Sequence, residues 1–262
     1  FTGCDGPSAV RLAERIRESL AAEQFGMGGH RTWQRCEATE VLKVPDGLPP
    51  ETAVFARMMG VSMSTLTTTT ARPPSLVIVT GLGLVGNLAA QMFASCGYRV
   101  LAVDPDEGRR AAARACGLTD VRERIPGDDP QVKDKASLAI ECSGHEIAVR
   151  DALGVIRKRG EVVLTGVPWQ RRTDLFAHEL LHLVFHRYAV LRSGWEWEVP
   201  RQETEFREGS IAGNLNGALR WLAERRVKVA GLADVICPTA VPDAYRDLIE
   251  HRGRLSAVID WR

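Results

Sequence analysis

The sequence has 262 residues, 45% of them hydrophobic and 26% charged, with a formal net charge of +1. That is ordinary for a globular chain with one large core or two modest ones. It argues against a strong field for nucleic acid or an anionic membrane, and no apolar run approaches the ~20 residues that span a bilayer.

In chain order, residues 8 to 22 predict a short amphipathic helix, with Ser8 as its cap. Gly26-Met27-Gly28-Gly29 interrupts it. Residues 37 to 50 read as a strand or two ending in the turn residues Pro45-Asp46-Gly47 and Pro49-Pro50, and residues 51 to 66 as a helix. Thr67 to Thr70 and Pro73-Pro74 predict a connector. Leu76-Val77-Ile78-Val79 is a continuous apolar, largely β-branched run, as expected of a strand buried on both faces. A glycine-rich turn and a helix to about Ala94 follow. The strand Arg99 to Val103, a helix over 107–116, the strand 138–140, a helix over 146–157 and the strand 161–164 complete an alternating pattern. A helix over 174–188 and a last strand at Ala189-Val190-Leu191 follow. Strands alternating with helices imply right-handed βαβ units and a parallel sheet. The tail predicts a helix at 214–225, a second from Asp243 to Glu250, and a strand from Ser256 to Ile259.

Six cysteines (Cys4, Cys36, Cys96, Cys116, Cys142 and Cys237) are scattered without a C-x-x-C pair. They read as free thiols in a reducing compartment, so a cytoplasmic location is expected. A start at Phe1 rather than Met points to residues upstream of this sequence.

The most informative stretch is Gly81-Leu82-Gly83-Leu84-Val85-Gly86, a G-x-G-x-x-G between a predicted strand and a predicted helix. Gly81 suits the tight turn, Gly83 lets the backbone approach a pyrophosphate, and Gly86 lets helix and strand pack closely. The helix N-terminus offers N–H groups and the positive end of its dipole to phosphate. The second strand ends at Asp104, at about the separation that a ribose-binding acid keeps from the third glycine. Asp104 accepts from ribose hydroxyls and repels a 2′-phosphate, so NAD(H) is expected over NADP(H). Arg109 and Arg110 follow and soften that preference. Cys142-Ser143-Gly144 and Gly166-Val167 lie at two further strand ends, placed to border the ribose and nicotinamide. Trp169 follows; it caps the nicotinamide or substrate, or is an exposed tryptophan.

Together these features resemble the medium-chain dehydrogenase/reductase superfamily, the alcohol dehydrogenase-like proteins. The resemblance rests on Val44-Pro45-Asp46-Gly47-Leu48-Pro49, the glycine motif, Asp104 with Arg109, Glu141-Cys142-Ser143-Gly144, Gly160 to Gly166, Asp243-Ala244-Tyr245 and Ala257-Val258-Ile259-Asp260. It implies an α/β fold: a Rossmann doubly wound parallel sheet over 51–195, plus a reduced GroES-like β-rich domain from both termini, 1–50 and 196–262. The implied activity is hydride transfer between nicotinamide and a small carbonyl compound, alcohol or activated alkene. A homo-oligomer, most simply a dimer, is also implied. The family's first catalytic half normally carries a cysteine zinc ligand, a Gly-His-Glu segment and often a four-cysteine lobe. None is legible here: Thr2-Gly3-Cys4-Asp5-Gly6 is the nearest remnant, and Gly29-His30 is followed by Arg31. A zinc-independent enzyme is therefore expected, with no metal ligands. An oxyanion then needs a hydrogen-bond donor or protonated group; His30 and Asp5 are the candidates.

Two alternatives come from other classes. A chain with a shortened N-terminal half is also compatible with a protein that senses NAD(H) without turnover. His178-Glu179-Leu180-Leu181-His182 matches H-E-x-x-H, which on a helix places two imidazoles on one face for a zinc hydrolase. His186 extends the stripe, and Glu196, Glu198, Glu203 or Glu205 would supply a third ligand. Trp195 and Trp197 read as core or interface residues, with lining of a substrate cleft as the alternative, and Tyr245 as core.

Overall fold

A computed structural model describes residues 41–250, 252–253 and 255–261. The predicted helix over 8–22, the strand portion 37–40, Cys4, Asp5, His30 and Cys36 lie outside the described residues. Residues 42–262 form one compact unit.

Among the described residues Val41 to Val44 pair with no strand; Val41 and Val44 are exposed, so the expected strand does not form over these four residues. The turn at Asp46-Gly47 forms as predicted, with Gly47 at φ +82°. Helices α1 (Pro50–Ala53) and α2 (Phe55–Thr68) follow. The second runs into the threonine run expected to be a connector, because Thr67 and Thr68 satisfy their hydroxyls on the helix carbonyls of Met63 and Ser64.

Six strands, β1 (Leu76–Thr80), β2 (Arg99–Val103), β3 (Val121–Arg122), β4 (Ala136–Glu141), β5 (Ile156–Leu164) and β6 (Val190–Ser193), make one parallel sheet. Their order, β3-β2-β1-β4-β5-β6, is that of a doubly wound Rossmann sheet. Strand β5 starts five residues earlier than predicted, at Ile156, and its register against β4 shifts where Arg159 takes a positive φ. The helices α3 (Leu84–Ser95), α4 (Glu107–Ala115), α5 (Glu146–Val155) and α6 (Ala177–Arg187) connect the strands.

All five residues of β1 are buried. Because side chains alternate across a strand, Val77 and Val79 join the cluster with Ala89, Ala90 and Phe93 of α3 on one face. Leu76 and Ile78 join Val149, Ala152 and Leu153 of α5 on the other. This two-sided burial explains why β1 is apolar without alternation. A third cluster joins Met59 and Met63 of α2 to Leu88 and Met92 of α3, and to Leu219 and Leu222 of α7 (Ile211–Ala223). The tail ends in α8 (Val241–Ile249) and a parallel pair, β7 (Asp234–Ile236) with β8 (Ala257–Ile259).

Tyr245 is a correction. It is half exposed, and α8 buries only Ala244, because the helix carries one narrow apolar stripe. Trp195 and Trp197 are exposed, the first capping and the second within a 3-10 turn at Glu196–Glu198 rather than on an extended segment, so they are not core.

Candidate dinucleotide site

The carboxyl ends of β1, β2, β4 and β5 converge on one crevice, and the backbone welds their turns together. Gly81 N–H donates to Val103 O at 2.8 Å, Cys142 N–H to Thr80 O at 2.8 Å, and Gly166 N–H to Glu141 O at 2.6 Å. Each turn therefore starts level with its neighbour, at the switch point where ligands bind in such sheets.

Glycine is required at the glycine-rich turn for two physical reasons. Gly81 has φ +82°, and a Cβ there would also meet Ser143 N at 2.7 Å; a Cβ on Gly86 would fall inside the carbonyl oxygen of Gly81. A Cβ on Gly83, by contrast, would meet nothing within 4 Å. Leu82 is buried, whereas Gly83, Leu84 and Val85 are partly exposed along the rim. Gly83 is the N-cap of α3 and supplies no side-chain cap. Neighbouring helices are capped: Asp106 accepts from Arg109 N, His145 from Ile147 N and Ser210 from Gly213 N. The turn that would meet a phosphate is thus left without a side-chain cap, its first N–H groups open to a ligand.

Asp104 is buried just past β2 and its carboxylate faces that turn. Its Oδ2 accepts from Leu82 N at 2.6 Å, and its Oδ1 from Asp106 N at 2.8 Å. Arg109 Nη1 lies 3.6 Å from Oδ2. A carboxylate has about four acceptor positions, so capacity remains for further donors. Arg110 turns away, donating to the carbonyls of Asp104 and Pro105 and pairing with Glu107. Asp104, Pro105, Gly108 and Arg109 form one wall of a cavity of about 510 Å³, and Leu232, Asp234 and Leu255 stand on the other.

Glu141, quoted above only as part of a motif, shapes the β4 turn. Its buried carboxylate accepts from Ser143 N at 2.6 Å, from the Ser143 hydroxyl and from Gly144 N at 3.0 Å. Burial pushes its carboxyl up, against the lowering effect of those donors. An acidic residue ending an apolar strand was the available sequence signal. Gly144 has φ +67°, and a Cβ on it would meet Val167 O at 2.7 Å, so the β4 and β5 turns touch. Burial pushes the Cys142 thiol up from its ordinary range, beside Gly86. Trp169 is 81% exposed on the loop after β5, and Val167 is exposed beside it. His145 serves as the cap of α5.

The H-E-x-x-H segment lies on α6, which buries none of its residues. Glu196 and Glu198, offered above as third ligands, are taken by Arg57 and Arg192. Among the described residues no group of three or more His, Cys, Asp or Glu side chains is placed to hold a metal ion. A catalytic zinc needs three protein ligands, so the described residues around the H-E-x-x-H segment do not fit a hydrolase centre.

Residues 85–203 match the zinc-binding dehydrogenase family. The chain is 30% identical over 146 residues to an alcohol dehydrogenase of Geobacillus stearothermophilus, covering 54% of this chain and 43% of that protein. Galactitol-1-phosphate dehydrogenase from Escherichia coli superposes with a TM-score of 0.68 at 19% identity, over 82% of this chain and 62% of that one. The chain is similar to the zinc-binding dehydrogenase family over residues 85–203 and shares the fold of the alcohol dehydrogenase-like structures. Acetophenone reductase from Geotrichum candidum NBRC 4597, solved in complex with NAD, shares the fold at a TM-score of 0.65 and 17% identity, over 83% of this chain and 58% of that one. The chain thus spans less than half the length of the alcohol dehydrogenase it matches. No helix among the described residues is long and apolar enough to cross a membrane.

Proposed function

We propose that the chain carries the NAD(H)-binding domain of an oxidoreductase that acts on a small carbonyl compound, alcohol or activated alkene. The observation that carries this reading is the pairing of an uncapped, Cβ-free turn at Gly83 with the Asp104 carboxylate beside it. When bound, the nicotinamide supplies the hydride. The protein's own residues bind and orient. The turn at Gly81, Leu82 and Gly83 and the first N–H groups of α3 at Leu84, Val85 and Gly86 receive the pyrophosphate. Asp104 accepts from the adenosine ribose hydroxyls, with Arg109 alongside, and its charge disfavours a 2′-phosphate; this supports NAD(H) over NADP(H). Cys142, Ser143, Gly144, Gly166 and Val167 border the nicotinamide ribose, and Trp169 walls the substrate side.

His30 and Asp5 are the proposed proton donors, from a GroES-like part built by residues 1–50 and 196–262 around the Rossmann part 51–195. The zinc-independent reading rests on the sequence of that first segment. A homo-oligomer and a cytoplasmic location complete the proposal. The test is fluorescence titration with NADH and NADPH separately. Tight NADH and weak NADPH binding is the expected result; no binding of either overturns the reading. Binding without turnover across aldehydes, ketones and enones would favour a sensor over an enzyme.

A further inference from the structure

The stripe of histidines on α6 is left unused by the dinucleotide site. His178, His182 and His186 succeed one another at four-residue intervals, so they stack on one face of the helix. The His182 and His186 ring centroids are 4.3 Å apart, and those of His178 and His182 are 6.1 Å apart. All three side chains are exposed on a helix that buries no residue of its own. We propose that His182 and His186 form a surface chelate for a borderline divalent cation such as Ni²⁺, Cu²⁺ or Zn²⁺, with His178 as the alternative partner of His182.

Imidazole nitrogens select these ions over Mg²⁺ or Ca²⁺. His186 also lies in the last turn of α6, which ends at Arg187, where the carbonyl end of the helix dipole favours positive charge. The nearest fixed cation, Arg187, is neutralised by Asp134 and donates to Ile156 O at 2.8 Å. The neighbouring Glu179 is engaged at the opposite end of the helix by Phe176 N. Phe185 packs edge-on against the His186 ring at 5.3 Å, which restricts that imidazole. With no third protein ligand among the described residues, the remaining coordination positions stay open to exchangeable ligands. This is a two-point site, not a structural zinc centre, and it stands apart from the dinucleotide reading.

The test uses the whole chain stripped with chelator and titrated calorimetrically with Ni²⁺, alongside Cu²⁺ followed by electron paramagnetic resonance. The expected result is one class of site with two nitrogen ligands on copper. His182→Gln should weaken Ni²⁺ roughly 100-fold, the chelate advantage of a second ligand, and His186→Gln should weaken it more than His178→Gln does. Circular dichroism and NADH binding should be unchanged in each variant. Unaltered Ni²⁺ affinity in both His182→Gln and His186→Gln overturns the proposal. So does loss of binding in His30→Gln or His145→Gln alone.

Discussion

The carboxylate of Asp104 accepts a hydrogen bond from the backbone N–H of Leu82 at 2.6 Å, tying the end of β2 to the middle of the glycine-rich turn. One side chain therefore both holds the turn in shape and faces the proposed ribose position. Asp104→Ala strands the Leu82 and Asp106 donors, at a cost of about 1–3 kcal/mol. We expect a lower Tm and NADH affinity weakened by an order of magnitude or more, since each factor of ten is about 1.4 kcal/mol. NADPH should weaken less. Equal weakening of both cofactors would contradict the ribose role.

Gly83 and Gly86 separate folding from binding. Gly86→Ala drives a methyl into the Gly81 carbonyl, and backbone displacement of this kind typically costs more than ~1 kcal/mol. Its thermal unfolding should shift down clearly. Gly83→Ala has open space, so its Tm should stay close to that of the unsubstituted chain while NADH titrations show weaker binding. A Gly83→Ala protein that binds NADH normally would remove the pyrophosphate from that position.

Arg57 on α2 reaches Glu196, 139 residues later, through two hydrogen bonds, one of 2.9 Å. Glu196 is buried while the arginine is half exposed. Arg57→Ala leaves a buried acceptor without its cation and should cost about 1–3 kcal/mol. Arg57→Ala combined with Glu196→Gln should recover part of that loss in a double-mutant cycle of urea midpoints. Additive losses would show that the two side chains do not couple.

Glu161 gives the acid limb of stability a specific source. Burial opposes its charge, but the hydroxyl and N–H of Thr70 and the guanidinium of Arg192 outweigh that and hold its carboxyl below the usual range. A carboxylate with a depressed folded-state pKa stabilises above its unfolded value, about 4.3. That contribution is lost as pH falls through the folded value. Glu161→Gln should therefore lower Tm at neutral pH and flatten its fall below about pH 4.3. Parallel Tm–pH curves for the two proteins would assign the acid sensitivity elsewhere.

Local pattern made the Rossmann core legible. The unbroken run before Gly81 required a strand buried on both faces, the three glycines required a turn without side chains, and the next strand had to end near Asp104. These are short-range constraints, and each appears where the spacing put it. Strand β3 escaped notice because two residues carry no periodicity, and β7 because only its pairing with β8 makes it a strand. Tyr245 sits on a plausible helical stripe but faces outward, since periodicity fixes a helix and not what covers it.

The sequence by itself determined the chemistry offered at the turn: glycine where a Cβ cannot fit, and an acid at the second strand end. Only the tertiary structure decided which groups serve those features. It alone joins Glu161 to Thr70, Arg57 to Glu196 and Gly144 to Val167. It also leaves α6 with its imidazoles in solvent. Such contacts join residues far apart in the chain, whose spacing carries no repeat, and the closure of the parallel sheet is what brings them within reach.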